Sequence, residues 1–238
     1  DVFTDCADLA CTVKKLDSRQ ADKATGTLYT KLFVRHWDTW ADGRRSQLFT
    51  STLEHGKAGA PVWLTKGIDG DIPSKPFGDE SEYTFSADSR TVYFDVRIAA
   101  GSEPWSTNFD IYSVPSDGAS APRNLTAANK AWDGWPVASP DGGTLYYLAQ
   151  KEPGFESDRF AVMAMNLADG SIREVDPKWD RSAGGMQISA DGKTLYVTAD
   201  DAGQHPLFGI DPASGKVTRL VGDGSIEGYS LAGNRLAL

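Results

Sequence analysis

One short phrase recurs four times in this chain: a serine, a tight polar turn, then a short apolar strand. The copies read SADSRTVYF (residues 86–94), SPDGGTLYY (139–147), SADGKTLYV (189–197) and SLAGNRLAL (230–238). Their serines lie 53, 50 and 41 residues apart, close to the roughly 40 to 50 residues of a four-stranded propeller blade. Asp-Gly between alternating apolar runs is a hairpin signal, because a two-residue turn of the primed type requires positive φ at its centre. Each copy is therefore expected to join the first two strands of a blade.

A second hairpin follows each complete copy. DIYSV (110–114) precedes Ser116-Asp-Gly118, VMAMNL (162–167) precedes Ala168-Asp-Gly170, and LFGID (207–211) precedes Ser214-Gly215. With the runs 123–125, 172–175 and 217–220 as fourth strands, three full four-stranded units are expected from about residue 83 to residue 221. Upstream, KLFVR (31–35) and SQLFT (46–50) flank Asp42-Gly43 and predict another hairpin, with VWL (62–64) as its next strand, in a more decorated blade. Residues 16–28, rich in Lys, Asp, Arg, Gln and Ala, predict a short helix with a poor apolar face. The expected fold is all-β: an incomplete β-propeller of WD40-like or TolB-like four-stranded blades, about four plus the start of a fifth. It occupies residues 31–238, after an N-terminal extension (1–30) that carries both cysteines.

Composition agrees with this class. Of 238 residues, 40% are hydrophobic, and 24 Gly and 12 Pro supply the turns. No apolar run is long enough for a membrane span. The net charge of −9, with no basic cluster beyond Lys14-Lys15 and Arg44-Arg45, argues against nucleic acid and anionic membranes as partners. Cys6 and Cys11 cannot complete a zinc site alone, and no His-x-x-x-His partner accompanies them. A local disulfide pinning the N-terminal segment is preferred over two free thiols, and such bonds persist in oxidising compartments. The first residue is Asp1 rather than Met, as follows if a leader has been removed. A periplasmic or secreted protein is expected, with no metal and no cofactor.

Catalytic motifs are scarce in the sequence. The Gly-x-Ser-x-Gly elbow of α/β-hydrolases is absent, and GYSLAG (228–233) is better explained as part of the repeat. His36, His55 and His205 are scattered and read as structural or surface residues. Asp69-Gly-Asp71 lacks the later ligands of a calcium loop and reads as a turn. Asn124-Leu-Thr126 is a formal glycosylation sequon. One cluster stands out: Arg35, His36, Trp37, Asp38, Thr39 and Trp40 on adjacent positions. Strand alternation places Arg35, Trp37 and Thr39 on one face and His36, Asp38 and Trp40 on the other. Two readings stand beside each other: an inter-blade packing knot in which Asp pairs with Arg, or a recognition ledge facing a partner domain or a peptide.

Several strings carry a resemblance. DCADLAC (5–11), LFVRHWDTW (32–40), WSTN (105–108) leading to DIY (110–112), PRNLT (122–126), PGFESDR (153–159), WDRS (179–182) and GQHPLF (203–208) together resemble the N-terminal propeller of prolyl-oligopeptidase family serine peptidases. The likeness is greatest to the exported dipeptidyl peptidase 5 and acylaminoacyl-peptidase-like branch, and it extends over essentially the whole chain. It implies a two-domain exopeptidase in which a propeller caps an α/β-hydrolase domain and admits peptides. The Ser, Asp and His of that hydrolase domain have no counterpart here, so no catalytic residue is assigned to this chain. In dipeptidyl peptidases of the family an acidic group on the propeller side anchors the substrate amino terminus. The paired-glutamate motif of the dipeptidyl peptidase 4 branch is absent, which leaves Asp38, Glu152 and Glu156 as candidates in that order. A carboxylate suits an ammonium in a partly dry cleft. The expected partners are therefore a peptide substrate and the catalytic domain of the same protein.

A rival from another class is a non-catalytic periplasmic propeller of the TolB kind, built from the same blades and binding proteins. A propeller enzyme with its site in the central channel needs convergent acids or metal ligands on equivalent inner strands, and no such set repeats. Counting blades also predicts an open arc, a fragment whose free strand edges pair with another copy.

Overall fold

The computed structural model describes residues 1–233 and 235–238. The chain opens with an arm in which Val2 bridges Arg45, and Cys6 and Cys11 form a disulfide with Cα atoms 5.5 Å apart. Helix α1 (Leu9–Ala21) follows. It begins earlier than the residue 16 expected from composition, because the Asp8 side chain caps it by accepting from the Cys11 backbone N–H at 2.8 Å. It also ends earlier, at Asp22, which turns extended. Only Thr12 of the helix is buried, and Lys15 and Arg19 lie over the Phe3 ring.

The upstream region departs from its predicted pairing. β1 (Arg35–His36) pairs with β2 (Thr39–Trp40) in a hairpin of its own. β3 (Phe49–Thr50) pairs with β6 (Val62–Trp63), and β4 (Leu53–Glu54) with β5 (Lys57–Ala58) between them. The run 31–35 therefore does not pair with 46–50. Asp42 accepts from the Arg44 backbone and side chain, at 2.9 and 2.6 Å, and Arg45 exchanges two backbone hydrogen bonds with Val2. That pairing draws residues 42–45 away from a hairpin turn.

Three complete sheets follow as predicted, each a simple antiparallel meander. The first contains β7 (Tyr83–Phe85), β8 (Thr91–Arg97), β9 (Phe109–Pro115) and β10 (Arg123–Asn124). The second contains β11 (Asp133–Ala138), β12 (Thr144–Ala149), β13 (Ala161–Asn166) and β14 (Ile172–Glu174). The third contains β15 (Gly184–Ile188), β16 (Leu195–Thr198), β17 (Leu207–Ile210) and β18 (Val217–Val221). β19 (Ser230–Ala232) and β20 (Arg235–Ala237) begin another unit. β11 packs on β7, β8 and β9, and β15 on β11, so the sheets stack face to face as propeller blades. Leu48, Leu64, Ile68 and Ile72 of the upstream region close the free face of the first blade against Val92, Phe94, Val96 and Val114.

The serine phrase works differently from a two-residue turn. Ser86, Ser139 and Ser189 each donate from Oγ to the aspartate two residues on, at 2.7, 2.6 and 2.7 Å. The same Oγ accepts from the backbone N–H of Thr91, Thr144 or Thr194. Four residues lie between each serine and its threonine, and only the third is left-handed, at Ser89, Gly142 and Gly192. The hydroxyl holds the aspartate carboxyl below the usual carboxylate range in all three loops. In the fourth copy Ala232 replaces the aspartate, and the strands close directly as Ala232 opposite Arg235.

Candidate functional site

The meander gives the blades two unlike ends. The serine loops and the turns at 116–119, 168–171 and 212–215 crowd one end with small and polar residues. The other end carries the long connections 98–108, 150–160 and 199–206 and the crossovers between blades. Thr107 and Gly154 tie two of these connections, the Gly154 N–H donating to Thr107 Oγ1 at 2.8 Å. The upstream region is anchored at the same end, where Arg45 binds Glu103 of the 100–105 turn at 2.7 Å, together with Asp69 and Asp71.

The β1–β2 hairpin holds the cluster noted in the sequence. Trp37 and Asp38 form its turn, with Trp37 at φ 47°, so alternation does not sort these side chains onto two faces. All six residues from Arg35 to Trp40 are exposed, and Trp37 keeps 70% of its surface. A buried packing knot is therefore not what forms, and Arg35 donates to the Trp37 carbonyl at 3.1 Å instead of pairing with Asp38. The rings gather on the outside. Trp40 stacks on Tyr29 at 5.8 Å beneath the Arg35 guanidinium, while His36 and Trp37 meet Phe77 at 6.1 and 5.4 Å. Phe77 lies far along the chain and shows no local signal of this role.

Glu152 and Glu156 sit exposed on the 150–160 connection, in a segment separate from the hairpin. Asp158 shapes that loop by accepting from the backbone N–H groups of Lys151, Glu152 and Arg159 at 2.7, 2.9 and 2.8 Å. Burial raises its carboxyl, but those three donors outweigh burial and hold it below the usual range. Gln150 donates to the carbonyls of Glu156 and Asp158 from inside. Trp105 and Phe155 project from neighbouring connections, both largely exposed. Beneath them runs a column of rings: Phe109 on Trp132 at 4.3 Å, Trp132 on Trp135 at 5.4 Å, and Phe160 edge-on to both. Arg97 caps the column over Phe109.

The remaining motifs have structural uses. Asp69 and Asp71 clamp Arg45, and His205 contacts Asp200 at 2.8 Å. His55 lies exposed in the β4–β5 turn. Asn124 of the sequon donates from Nδ2 to Asp110 and Tyr112, and Thr126 is buried. Among the described residues no group of three or more His, Cys, Asp or Glu side chains is arranged to hold a metal.

No family model matches the chain. A probable dipeptidyl-peptidase 5 from Emericella nidulans is 31% identical over 78% of the chain and 27% of its own length. The chain thus spans about 27% of that curated relative. The Pyrococcus horikoshii acylaminoacyl peptidase superposes with a TM-score of 0.62 at 14% identity, over 91% of this chain and 31% of that one. A putative TolB from Agrobacterium tumefaciens superposes with a TM-score of 0.54 at 19% identity, over 74% of this chain and 55% of that one. These two superpositions bear on the fold, a β-propeller. The sequence relationship adds what the fold cannot, and the chain belongs to the propeller region of the prolyl-oligopeptidase family of serine peptidases.

Proposed function

We propose that this chain is the substrate-gating propeller of an exported serine exopeptidase that releases dipeptides from peptide amino termini. The sequence relationship to dipeptidyl-peptidase 5 over 78% of the chain carries the reading. In the complete enzyme an α/β-hydrolase domain supplies serine, histidine and aspartate, with attack on the peptide carbonyl and proton transfer through histidine. The propeller's own task is to admit and orient. The ends of the blades differ: the end with long connections presents the rings of Trp105 and Phe155 beside Glu152 and Glu156, whereas the other end carries tight turns whose aspartates are tied back to their own loops by hydrogen bonds, beside the exposed Phe85 ring.

On this reading the Arg35, His36, Trp37 and Trp40 ledge offers apolar surface to a passing peptide or to the catalytic domain. Asp38, Glu152 and Glu156 are the carboxylates available to a substrate ammonium; none of them forms an ion pair among the described residues. The Cys6–Cys11 bond supports an oxidising, periplasmic or extracellular setting.

Calorimetric titration with a short apolar peptide tests this. Binding is expected for the free amino terminus, with at least a tenfold loss on acetylation and on E152Q or E156Q. Equal affinity for free and acetylated peptide removes the carboxylate anchor. Cleavage of a dipeptidyl chromogenic substrate by the pure chain, blocked by a serine-directed inhibitor, overturns the gating role. The likeness to TolB favours a second reading, a non-catalytic scaffold. Tight binding of a folded protein without peptide binding supports that one.

A further inference from the structure

Four carboxylates are buried with no cation beside them, three of them at the seam between the first and second complete blades and the fourth, Asp110, on the opposite face of β9. They are Glu82, Asp95, Asp110 and Asp133. None forms an ion pair among the described residues. Asp95, 1% exposed, reaches from β8 across the seam and accepts from the Trp135 N–H of β11 at 2.7 Å, while its Oδ1 has no hydrogen-bond partner. Asp133, also 1% exposed, accepts from Asn129 Nδ2 at 2.8 Å, and its Oδ2 is unpartnered. Asp110 accepts from Asn124 at 2.9 Å and leaves Oδ1 unpartnered. Glu82 alone is well served, by the backbone N–H and hydroxyl of Ser74, both at 2.6 Å.

The titratable neighbours make the seam worse for negative charge. Asp95 faces Glu82 from the single turn before β7. Asp133 lies in the field of Asp110 of β9 and of the Tyr147 phenol of β12, with the neutral Asn129 and Thr126 of the crossover as its hydrogen-bonding neighbours. No Lys, Arg or His stands among the groups acting on either carboxyl. Burial, then Glu82, pushes the Asp95 carboxyl well above its usual range. Burial, opposed by Asn129 and Thr126 and aided by Asp110, pushes Asp133 to about 7.

We propose that this seam is a proton-operated joint: the two blades grip each other while Asp95 and Asp133 are protonated, and the grip loosens when they ionise. A protonated carboxyl needs no counter-ion and carries a donor of its own, whereas an ionised one draws in water to replace lost hydration. The element it disturbs is defined. Asp95 holds Trp135 at φ 54°, in the bulge between Gly134 and Val137, and Trp135 carries the ring column under the 150–160 connection. Loosening the seam therefore reaches the end of the blades that carries Glu152 and Glu156. The joint would operate in this chain whether or not it serves a peptidase.

The pure chain between pH 5 and 8 provides the test, a window in which the serine-loop aspartates, held low, are already ionised. The melting temperature is expected to fall as pH rises, and D95N and D133N are each expected to flatten that fall and to raise the melting temperature at pH 8. Should a variant fail to fold, hydrogen exchange on the unmodified chain, corrected for intrinsic rate, decides: residues 133–138 lose at least tenfold protection at pH 8 relative to pH 5.5, and residues 184–188 do not. A flat or rising melting curve, unchanged slopes in both variants, or equal loss of protection in both segments overturns the proposal. A calcium chloride titration that raises the neutral-pH melting temperature, and fails to do so in D133N, also overturns it by assigning the charge to a bound cation.

Discussion

Nine residues beyond the loop serine, the first complete blade carries Asp95 and the second carries Leu148. The same exchange recurs around both seams. Asp133, six residues before its serine, corresponds to Ala183. The seam between the second and third blades is accordingly apolar, with Leu148, Val162, Ala183, Met186, Val197 and Phe208 in one cluster. The first seam has its own apolar patch, Tyr93, Ile111, Leu145, Tyr147 and Met165, but shares its faces with Asp95 and Asp133. One backbone repeat thus supports two kinds of joint. The strand geometry dictates that blades stack, while a few side chains per seam decide whether the contact depends on pH.

Moving the acid is the severest trial of that contrast. Leu148→Asp places a carboxylate in the apolar seam, and the expected cost is on the order of 4 kcal/mol in urea unfolding at pH 7. A cost below about 1 kcal/mol would mean the seams do not differ in tolerance for charge. Removing the acid acts in the opposite direction. A carboxyl raised in the folded state favours the fold below pH 3.8, and that contribution is lost as pH climbs toward about 7 and stays lost above it. Asp133→Asn is expected to recover up to about 4 kcal/mol at pH 8 and little at pH 4, read from denaturant titrations at both.

The smaller effects lie at the ends of the blades. Ser139→Ala deletes a buried hydroxyl bonded to Asp141 and Thr144, for an expected loss of about 1 kcal/mol in either seam's presence. An effect confined to the second blade in exchange experiments would show the loops acting independently of the seams. Trp37→Ala trims an exposed ring and is expected to change stability by less than about 0.5 kcal/mol. A much larger loss would show that the ledge is packed against something within the chain.

The repeat made the three complete blades legible because each strand lies beside the next in sequence. The serine in each phrase was visible too, but not its use: Asp-Gly suggested a two-residue turn, and a hydroxyl that donates to one side chain while accepting from a distant backbone group lengthened the loop. Upstream the strands are two residues long, too short for alternation to carry information, and the left-handed Trp37 broke the pattern where it was applied. The cluster at Arg35–Trp40 drew attention by composition, yet Phe77, which completes it, lies in a turn with no pattern of its own. The seams were least legible. Asp95 and Trp135 meet 40 residues apart in sequence, and an aspartate inside an apolar strand does not announce whether it will be buried or solvated.

The bridge between Val2 and Arg45 has a bearing on how the protein can be handled. The Arg45 guanidinium grips Asp71 and Glu103 while its backbone pairs with Val2, and Asp1 binds Ser46 and Lys75, so the first residues are stitched down at several points around that guanidinium. Trimming the arm to tidy the N-terminus would unpair a strand-like contact beside that guanidinium and uncover Phe3 and Cys6, both buried.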